Sequence, residues 1–336
     1  MAVLVTGGAG YIGSHMVWEL LDSGEDVIVL DRLSTGFEWA VAPEAKLVIG
    51  DIADASLVKS LFRDHEIDAV MHFAGSIVVP ESVAMPLAYY ENNTCKTRAL
   101  LETIIEGNIR HVIFSSTAAV YGNQGEAPIA EDASTNPESP YGRSKLMTEW
   151  MLRDASAAHG FTYTTLRYFN VSGSDPRGRT GQSTEGATHL IKVACETATG
   201  KRPAMTVFGT DYPTPDGTCI RDYIHVSDLA AVHRLALARL RRGGSNLTAN
   251  CGYGRGYSVF EVIDSVKKMA GRDFDVQLCT RRAGDASAVV ANSDLAYREF
   301  DWQPKYADLD RIVADALAWE EILARGNRQK FDRAEL

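Results

Sequence analysis

Cysteine is scarce in this 336-residue sequence, and the five that occur are scattered. None belongs to a Cys-x-x-Cys pair; they stand at Cys95, Cys195, Cys219, Cys251 and Cys279. Structural zinc sites and disulfide frameworks need closely and regularly spaced cysteines. We therefore expect no metal site, no disulfide framework and a reduced, cytoplasmic environment.

Long apolar runs and basic blocks are also lacking. Lys and Arg total 34 against 44 Asp and Glu, which gives a formal net charge of −10. An acidic chain without a Lys/Arg cluster is poorly suited to nucleic acid or to an anionic membrane. The longest apolar runs have the length of strands, so we expect no transmembrane helix. No apolar leader precedes the first predicted strand, and we expect no signal peptide.

A glycine-rich turn near the start gives the first positive indication of function. The valine-rich run 2–6 is typical of a buried parallel strand, and an apolar-periodic helix is predicted from Ile12 to Ser23. Between them, Gly7, Gly10 and Gly13 form a G-x-x-G-x-x-G pattern. Such a turn lets the backbone approach a pyrophosphate at the positive end of the helix. The pattern predicts a dinucleotide site, with an ordinary tight turn as the alternative.

An acidic residue after the second strand indicates which dinucleotide binds. The predicted strand 26–30 ends at Asp31, 18 residues after Gly13. A carboxylate there can accept hydrogen bonds from the adenosine ribose and repels a 2′-phosphate. NAD is therefore favoured over NADP.

Strands and helices continue to alternate through the first half of the chain. Further strands are predicted at 46–49, 69–73, 111–115 and 161–167, with helices at 55–65, 87–107 and 141–159 and loops at 80–86 and 121–140. This alternation predicts an α/β fold: a Rossmann-type doubly wound parallel sheet, with a smaller α+β substrate-binding domain. We place the NAD-binding domain at 1–170 and the mainly substrate-binding domain at 171–336, with some segments returning to the sheet. A boundary and mobile loop are predicted at 172–187, followed by helices near 188–200, 227–241 and 258–270.

A tyrosine and a lysine are spaced for proton transfer. Tyr141 and Lys145 are four residues apart and so share one face of a helix. An ammonium beside a phenol lowers the pKa of the phenol from about 10. Such a tyrosine can take a proton from a sugar or alcohol hydroxyl, while a hydroxyl from Thr117 holds the substrate oxygen. Asp51, Phe73, Ala74 and Ser115–Thr117 end predicted strands, so the motifs converge on one crevice.

Two arginine groups occur in the second half, each beside an Asp and an aromatic residue. The first is Arg221-Asp222-Tyr223, which follows the polar stretch that begins at Phe208. The second is the later segment from Arg281 to Asp285. Planar guanidinium groups suit bidentate recognition of phosphate, so these residues could clamp a diphosphate. Solvated surface arginines are the alternative, and the spacing alone leaves both open.

Over nearly its whole length, to about Trp302, the sequence resembles the UDP-glucose 4-epimerases of the extended short-chain dehydrogenase/reductase superfamily. The narrowest motif is FGTDYPTPDGTCIRDYIHV at 208–226; the others are TGGAGYIGSH at 6–15, HFAG at 72–75, Glu81 to Val83, Tyr89 to Asn93, Ser115 to Gly122, SPYGRSKL at 139–146 and LRYFN at 166–170.

The resemblance implies an isomerase that carries its own NAD and inverts C4 of a UDP-hexose through a 4-keto intermediate. It implies catalytic roles for Tyr141, Lys145 and Thr117. It implies cofactor contacts from Gly7, Gly10, Tyr11, Ile12, Gly13, Asp31, Asp51, Ile52, Phe73, Ala74, Asn92, Ser115, Tyr141, Lys145 and Phe169. The implied UDP-sugar contacts come from Thr117, Asn170, His189, Arg221, Tyr223, Arg282, Asp285 and Val289. Family dimers pair two long helices, so we also expect a homodimer.

Two places depart from the family pattern, and a further residue, Val289, bears on sugar specificity. Ile77 stands where a lysine often reaches the cofactor, which predicts weaker or compensated NAD retention. Thr188-His189 replaces paired asparagines; His189 either takes over a contact to the diphosphate or is a capping or surface histidine. Val289 stands at the position beside the sugar where a tyrosine blocks N-acetyl groups, so UDP-GlcNAc and UDP-GalNAc become possible substrates.

Other functions fit less well. A nucleotide-sugar 4,6-dehydratase needs an acid and a base after Thr117, where this chain has Ala118-Ala119. A UDP-pentose 4-epimerase stays open, because pentoses would fit. A non-catalytic NAD-binding sensor or scaffold is disfavoured, since Thr117, Tyr141 and Lys145 are all present.

Overall fold

A seven-stranded sheet, parallel throughout, forms the centre of the computed structural model, which describes residues 1–125, 128–282 and 285–326. The strands are β1 (Ala2–Thr6), β2 (Asp26–Asp31), β3 (Lys46–Ile49), β4 (Ile67–His72), β5 (His111–Thr117), β6 (Thr162–Tyr168), β7 (Asn170–Ser172), β8 (Met205–Phe208), β9 (Ile220–His225), β10 (Leu247–Cys251), β11 (Gly256–Ser258), β12 (Val276–Cys279) and β13 (Ala288–Val289). The order in the large sheet is β10-β6-β5-β4-β1-β2-β3. The predicted Rossmann-type fold is confirmed.

Helices cover both faces of this sheet. They are α1 (Tyr11–Asp22), α2 (Ala55–Asp64), α3 (Val79–Ala84), α4 (Pro86–Tyr89), α5 (Lys96–Glu106), α6 (Pro140–His159), α7 (Leu190–Ala198), α8 (Val226–Arg241), α9 (Val259–Ala270), α10 (Asp294–Phe300) and α11 (Leu309–Gly326). Because side chains alternate across a strand, Val3 and Val5 pack against α1 and α8, while Leu4 faces the core shared with α2 and α5.

The segment 79–106 differs from its prediction in two ways. Residues 80–86 were expected to form a loop, yet α3 includes Pro80, since proline is tolerated in the first turn of a helix. The helix expected at 87–107 is not uniform, because a π-helical turn at Tyr90–Cys95 separates α4 from α5. Such turns widen the helix and often occur at functional sites.

Two smaller sheets lie after β6. In one, β9 pairs with β7, β11 and β13, and in the other β8 pairs with β12. Helices α7, α9 and α11 share a further apolar core with these strands. The chain also returns to the large sheet, because β10 pairs with β6 and α8 packs against α1.

Most other predicted boundaries lie within two residues of the observed ones, and α6 begins at Pro140 with the Ser139 side chain accepting from the amide of Gly142. Within the described part of the chain, no helix is long and apolar enough to cross a bilayer. The last ten residues of the predicted second domain, 327–336, lie outside the described residues, as do 126–127 and 283–284.

Candidate active site

The glycine turn after β1 has room for nothing larger than glycine at two of its positions. Gly7 adopts φ +73°, and a Cβ there would lie 2.6 Å from the amide nitrogen of Ala74. A Cβ on Gly13 would lie 2.1 Å from the carbonyl oxygen of Gly7. Gly10 precedes α1, and no side chain caps that helix. The first-turn amides of α1 are therefore presented as an anion site, as a bound pyrophosphate requires.

Asp31 is fixed beside that turn at the end of β2. Its Oδ2 accepts a hydrogen bond from the Ala9 amide at 3.0 Å, and its Oδ1 accepts one from the Leu33 amide at 2.8 Å. A carboxylate has about four lone-pair positions. Asp31 therefore keeps acceptor capacity for ribose hydroxyls while its position is set by the backbone.

Asp51 and Ile52 follow β3 at the same edge of the sheet. Asp51 pairs with Lys96 and lies 3.7 Å from Arg32. Burial acts to raise the pKa of Asp51, but the hydrogen bonds from Lys96 and the Ala53 amide, together with the positive charges of Lys96 and Arg32, hold the pKa below its ordinary value. The side chain of Ile52 is buried.

Tyr11 and Ile12 begin α1 and Phe73 follows β4, so all three lie next to the glycine turn. The Tyr11 hydroxyl donates to the carbonyl oxygen of Gly173 at 2.7 Å, which links α1 to the chain after β7. Ile12 and Phe73 are partly buried against the core below the turn, and the Phe73 ring lies 4.9 Å from that of His233.

The π-helical turn places two asparagines against the loop after β4. The Asn92 side chain donates to the Ser76 hydroxyl at 2.9 Å. The Asn93 amide group donates to the Ser76 carbonyl at 2.9 Å and to the Ser144 hydroxyl at 3.0 Å, and it accepts from the Ser76 amide at 2.7 Å. Asn93 therefore fastens this loop to α6. The sequence prediction included Asn92 and missed Asn93, because it assumed a regular helix there.

The predicted catalytic residues come together at the carboxyl end of β5. Tyr141, Lys145 and Thr117 are all buried, and the first two share one face of α6. The Thr117 hydroxyl is the polar group that acts to lower the pKa of the Tyr141 phenol. The Lys145 ammonium donates to the Ser115 carbonyl at 2.9 Å and lies 4.9 Å from the centre of the Phe114 ring.

The predicted lowering of the Tyr141 pKa by Lys145 is wrong. Burial raises the pKa of Tyr141, and the Thr117 hydroxyl only partly opposes this. Burial also lowers the pKa of Lys145 to about 8, against an opposing effect of Glu149. The reason is that the ammonium is directed to the Ser115 carbonyl, so desolvation of the phenol dominates.

Ser115 lies on β5, and Phe169 lies between β6 and β7. The Ser115 hydroxyl is 2.5 Å from that of Tyr168 on β6. Phe169 is buried in an apolar cluster that also includes Leu146 of α6 and, at its edge, Ala118 and Val289. The predicted gatekeeper position is therefore adjacent to the residues that follow Thr117.

Several predicted UDP-sugar residues meet on β7, β9 and the segment before β13. Asn170 and Tyr223 are register partners, and the Asn170 side chain donates to the Asp222 carbonyl at 3.3 Å. Arg221 donates to the Ala286 carbonyl at 2.9 Å and lies 3.9 Å from Asp285. The Arg282 guanidinium stacks 3.7 Å from the centre of the Phe208 ring.

His189 and Ile77 lie at the surface. His189 immediately precedes α7 but does not cap it; its Nδ1 is 2.9 Å from the Gln182 side chain. The capping alternative is therefore wrong, and a surface or ligand role stays a prediction. Ile77 is 53% exposed.

Two buried carboxylates near the site were not predicted. Glu149 pairs with Arg167, with both side chains 8% exposed. Asp222 is fully buried and accepts from the amides of Tyr253, Gly254 and Ala291. Burial raises the pKa of Asp222 to about 6. The available signal for Glu149 was its spacing, four residues after Lys145.

Comparison with known proteins agrees with this geometry. The model of the NAD dependent epimerase/dehydratase family matches residues 3–252. A UDP-glucose 4-epimerase of Azospirillum brasilense is 57% identical, over 96% of this chain and 92% of its own. The chain belongs to this family, among the UDP-glucose 4-epimerases.

Solved structures give the same result. A UDP-glucose 4-epimerase of Brucella ovis in complex with NAD is 44% identical with a TM-score of 0.92, over 94% of this chain and 97% of that one. A UDP-Glc/GlcNAc 4-epimerase of Campylobacter jejuni is 45% identical with a TM-score of 0.84, over 95% and 99%. The predictions of an isomerase, of NAD as cofactor and of 4-epimerisation of a UDP-hexose are confirmed.

Proposed function

We propose that Tyr141 takes the proton from the 4-hydroxyl of a UDP-hexose during its epimerisation and returns it afterwards. One observation carries this assignment: the buried phenol of Tyr141 lies beside Thr117 at the end of β5, one helical turn from Lys145. Thr117 would hold the sugar oxygen in line with the phenol. Proton transfer by a positioned side chain is worth about 10²–10⁴ in rate.

The residues around the glycine turn fit NAD. The cradle at Gly7 and Gly13 would be filled by a Cβ, α1 presents uncapped amides to a pyrophosphate, and Asp31 suits an adenosine ribose. Asn92, Ser115, Phe73 and Ala74 continue the predicted contact surface toward the catalytic residues. A bound NAD would supply reversible hydride transfer at C4.

Lys145 has two tasks in this proposal. An ammonium has three donors, and only one is used in the hydrogen bond to the Ser115 carbonyl. The other two are available to the hydroxyls of the nicotinamide ribose. A cofactor ribose that holds the ammonium near Tyr141 would favour the phenolate and so lower the pKa of the phenol.

The region after residue 170 would hold the nucleotide. Arg221 and Arg282 are separated cations in an acidic chain, and Asn170, Tyr223 and Asp285 lie beside Arg221 in the fold. Contacts concentrated on the diphosphate leave the sugar free to turn between its two faces, which inversion at C4 requires. We place the functional boundary between cofactor and substrate regions there, with β10 and α8 contributing to the cofactor side.

Val289 would admit an N-acetyl group. It is only partly buried, beside Phe169 and Ala118. A valine side chain leaves more room at this position than the tyrosine that blocks bulky sugars. The Campylobacter jejuni relative, named for both UDP-Glc and UDP-GlcNAc, is a precedent within the family.

A homodimer would cover an exposed groove between α5 and α6. The groove has a volume of about 470 Å³ and is lined by Leu101, Ile105, Met147, Trp150 and Met151, with Trp150 47% exposed. Exposed apolar surface on two long adjacent helices suits pairing with a second copy in a four-helix arrangement.

Light scattering at micromolar concentration should give twice the chain mass for wild type and the mass of one chain for Trp150→Glu. A monomeric wild type would refute the dimer.

The activity itself is tested by incubating purified protein, without added nicotinamide, with UDP-galactose and separately with UDP-GalNAc. Products are resolved by NMR. UDP-glucose from the first and UDP-GlcNAc from the second are the expected results. Product only after NAD is added would show that Ile77 loosens the cofactor, and no product under any condition would contradict the proposed function.

A further inference from the structure

Glu149 is the hub of a buried polar network directly behind the catalytic residues. It lies on α6, one turn beyond Lys145 and two turns beyond Tyr141. Its Oε1 accepts from the Ser116 hydroxyl at 2.6 Å and from Arg167 Nε at 3.0 Å, and its Oε2 accepts from Arg167 Nη2 at 2.6 Å. These three hydrogen bonds satisfy a carboxylate that is 8% exposed.

The hydrogen-bonding partners of Glu149 lie on the strands that carry the rest of the site. Ser116 stands between Ser115 and Thr117 on β5, and Arg167 is its register partner on β6. Glu149 therefore joins the catalytic helix to the strand end that presents Thr117. The distance between the Tyr141 phenol and the Thr117 hydroxyl depends on how α6 lies along β5. The hydrogen bonds of Glu149 fix the position of α6 relative to β5.

The network continues to the wall of the predicted sugar pocket. Arg167 Nη1 donates to the Tyr121 hydroxyl at 2.9 Å, which donates to Asn250 Oδ1 at 2.7 Å. The Asn250 amide donates to the Ile129 carbonyl at 2.9 Å, and the Ile129 amide donates to the carbonyl of Val290, next to Val289. A fully satisfied buried network fixes one arrangement of the groups it joins.

We infer that Glu149 is a positioning residue for epimerisation, which holds α6 against β5 so that Tyr141 and Thr117 meet the same sugar oxygen. The inference rests on the proposed function, because it assigns meaning to the geometry of Tyr141. A role in stability alone is a weaker explanation, since buried ion pairs contribute little net stability compared with apolar residues. Misplacement of reacting groups by about 1 Å costs on the order of 10² in rate.

The chain offers a matched control at the opposite end of the sheet. Asp68, near the start of β4, is also 8% exposed and accepts two hydrogen bonds of 2.8 Å from Arg241. Glu149→Gln and Asp68→Asn each remove one buried charge from a bidentate arginine pair. Only the first is expected to disturb the catalytic helix.

The experiment measures kcat and KM for UDP-galactose, the Kd for UDP, the bound nicotinamide retained on purification and the unfolding midpoint. Glu149→Gln should lower kcat at least tenfold, with KM, Kd and nicotinamide content within about twofold of wild type. Asp68→Asn should leave kcat within about twofold of wild type, even if its unfolding midpoint falls as far as that of Glu149→Gln. Equal losses of kcat in both variants, or an unchanged kcat in Glu149→Gln, would overturn the inference.

A double variant keeps the test decisive if Glu149→Gln does not fold. Glu149→Leu with Arg167→Met replaces the pair by apolar groups, which retains stability in comparable cases. It should fold, bind UDP and have a low kcat; a wild-type kcat would overturn the inference.

Tyr141→Phe, measured alongside, separates the role of Glu149 from the proposed function. Near-normal turnover of that variant contradicts the proposed function itself, whereas an inactive Tyr141→Phe with a fully active Glu149→Gln contradicts only the role of Glu149.

Discussion

The ammonium of Lys145 donates a hydrogen bond to the backbone carbonyl of Ser115 across 2.9 Å, between α6 and the end of β5. A carbonyl cannot ionise, so this contact fixes Lys145 without neutralising it. The phenol of Tyr141 is left with Thr117 as its polar neighbour and with a pKa raised by burial. The fold therefore positions Tyr141 for proton transfer, while burial alone keeps its pKa above the ordinary value.

Lys145→Met should reduce both turnover and cofactor retention. The variant keeps the length of the side chain and loses every donor, so neither the Ser115 carbonyl nor a ribose can be held. We expect kcat to fall on the order of 10²-fold and less nicotinamide to copurify. Lys268→Met, at an exposed ion pair with Asp310, is the control and should match wild type. Full cofactor retention and turnover in Lys145→Met would remove Lys145 from the site.

Gly13→Ala should abolish NAD binding while the protein remains folded. The new Cβ would lie 2.1 Å from the Gly7 carbonyl oxygen, so the turn that forms the pyrophosphate cradle must shift. Bound nicotinamide, measured in the supernatant after denaturation, should be lost. Gly326→Ala, where nothing lies within 4 Å of a Cβ, is the matched control. An undiminished nicotinamide content in Gly13→Ala would place the cofactor elsewhere.

Substitution of Val289 should change sugar specificity. Val289→Tyr fills the space beside Phe169 and Ala118 and should suppress turnover of UDP-GalNAc while UDP-galactose remains a substrate. Val289→Ala should keep both substrates. The measurement is the ratio of kcat/KM for the two sugars. If wild type and Val289→Ala both fail with UDP-GalNAc while UDP-galactose is turned over, Val289 does not act as the gate.

Three buried histidines should make the fold sensitive to acid. Burial lowers the pKa of His15 to about 4, of His72 to about 3 and of His233 to about 4. The unfolded chain takes up protons on these residues below pH 6.5, the ordinary histidine pKa, while the folded chain does not. The stability is therefore fully present above that pH and is lost as the pH falls toward 4, by about 1 kcal/mol per histidine and pH unit.

Urea unfolding of wild type and of His72→Gln at about pH 7 and about pH 5 checks this prediction. The variant should lose about 2 kcal/mol less than wild type between the two pH values, whatever its stability at neutral pH. His233→Gln provides a second comparison. An identical pH dependence in wild type and both variants would contradict it.

The strands and the cofactor turn were accessible from the sequence because they depend on local rules. A valine-rich run, three spaced glycines and an acid after the second strand each specify their structure over a few residues. The spacing of Tyr141 and Lys145 needed only the period of a helix. The prediction was wrong where a local rule met a tertiary exception, as with Pro80 inside α3 and the π-helical turn that brings Asn93 to Ser76.

Contacts between residues that are distant in sequence could not be predicted from the sequence. Glu149 meets Ser116 and Arg167 only once α6 is packed on two strands. Its spacing from Lys145 indicates a shared helix face, but nothing along the chain indicates these two partners. The pKa of Tyr141 was misjudged for the same reason. The effect of a neighbouring charge follows from spacing, whereas burial and the direction of the ammonium follow from the packed structure.

The most direct test of the account is the turnover of UDP-galactose by Tyr141→Phe, with bound nicotinamide and UDP affinity measured on the same preparation. The variant keeps the ring, its burial and the shape of the site, and loses only the hydroxyl. We predict that kcat falls on the order of 10²–10⁴-fold while nicotinamide content and UDP affinity are retained. Turnover close to that of wild type would show that another group takes the proton and would contradict the account.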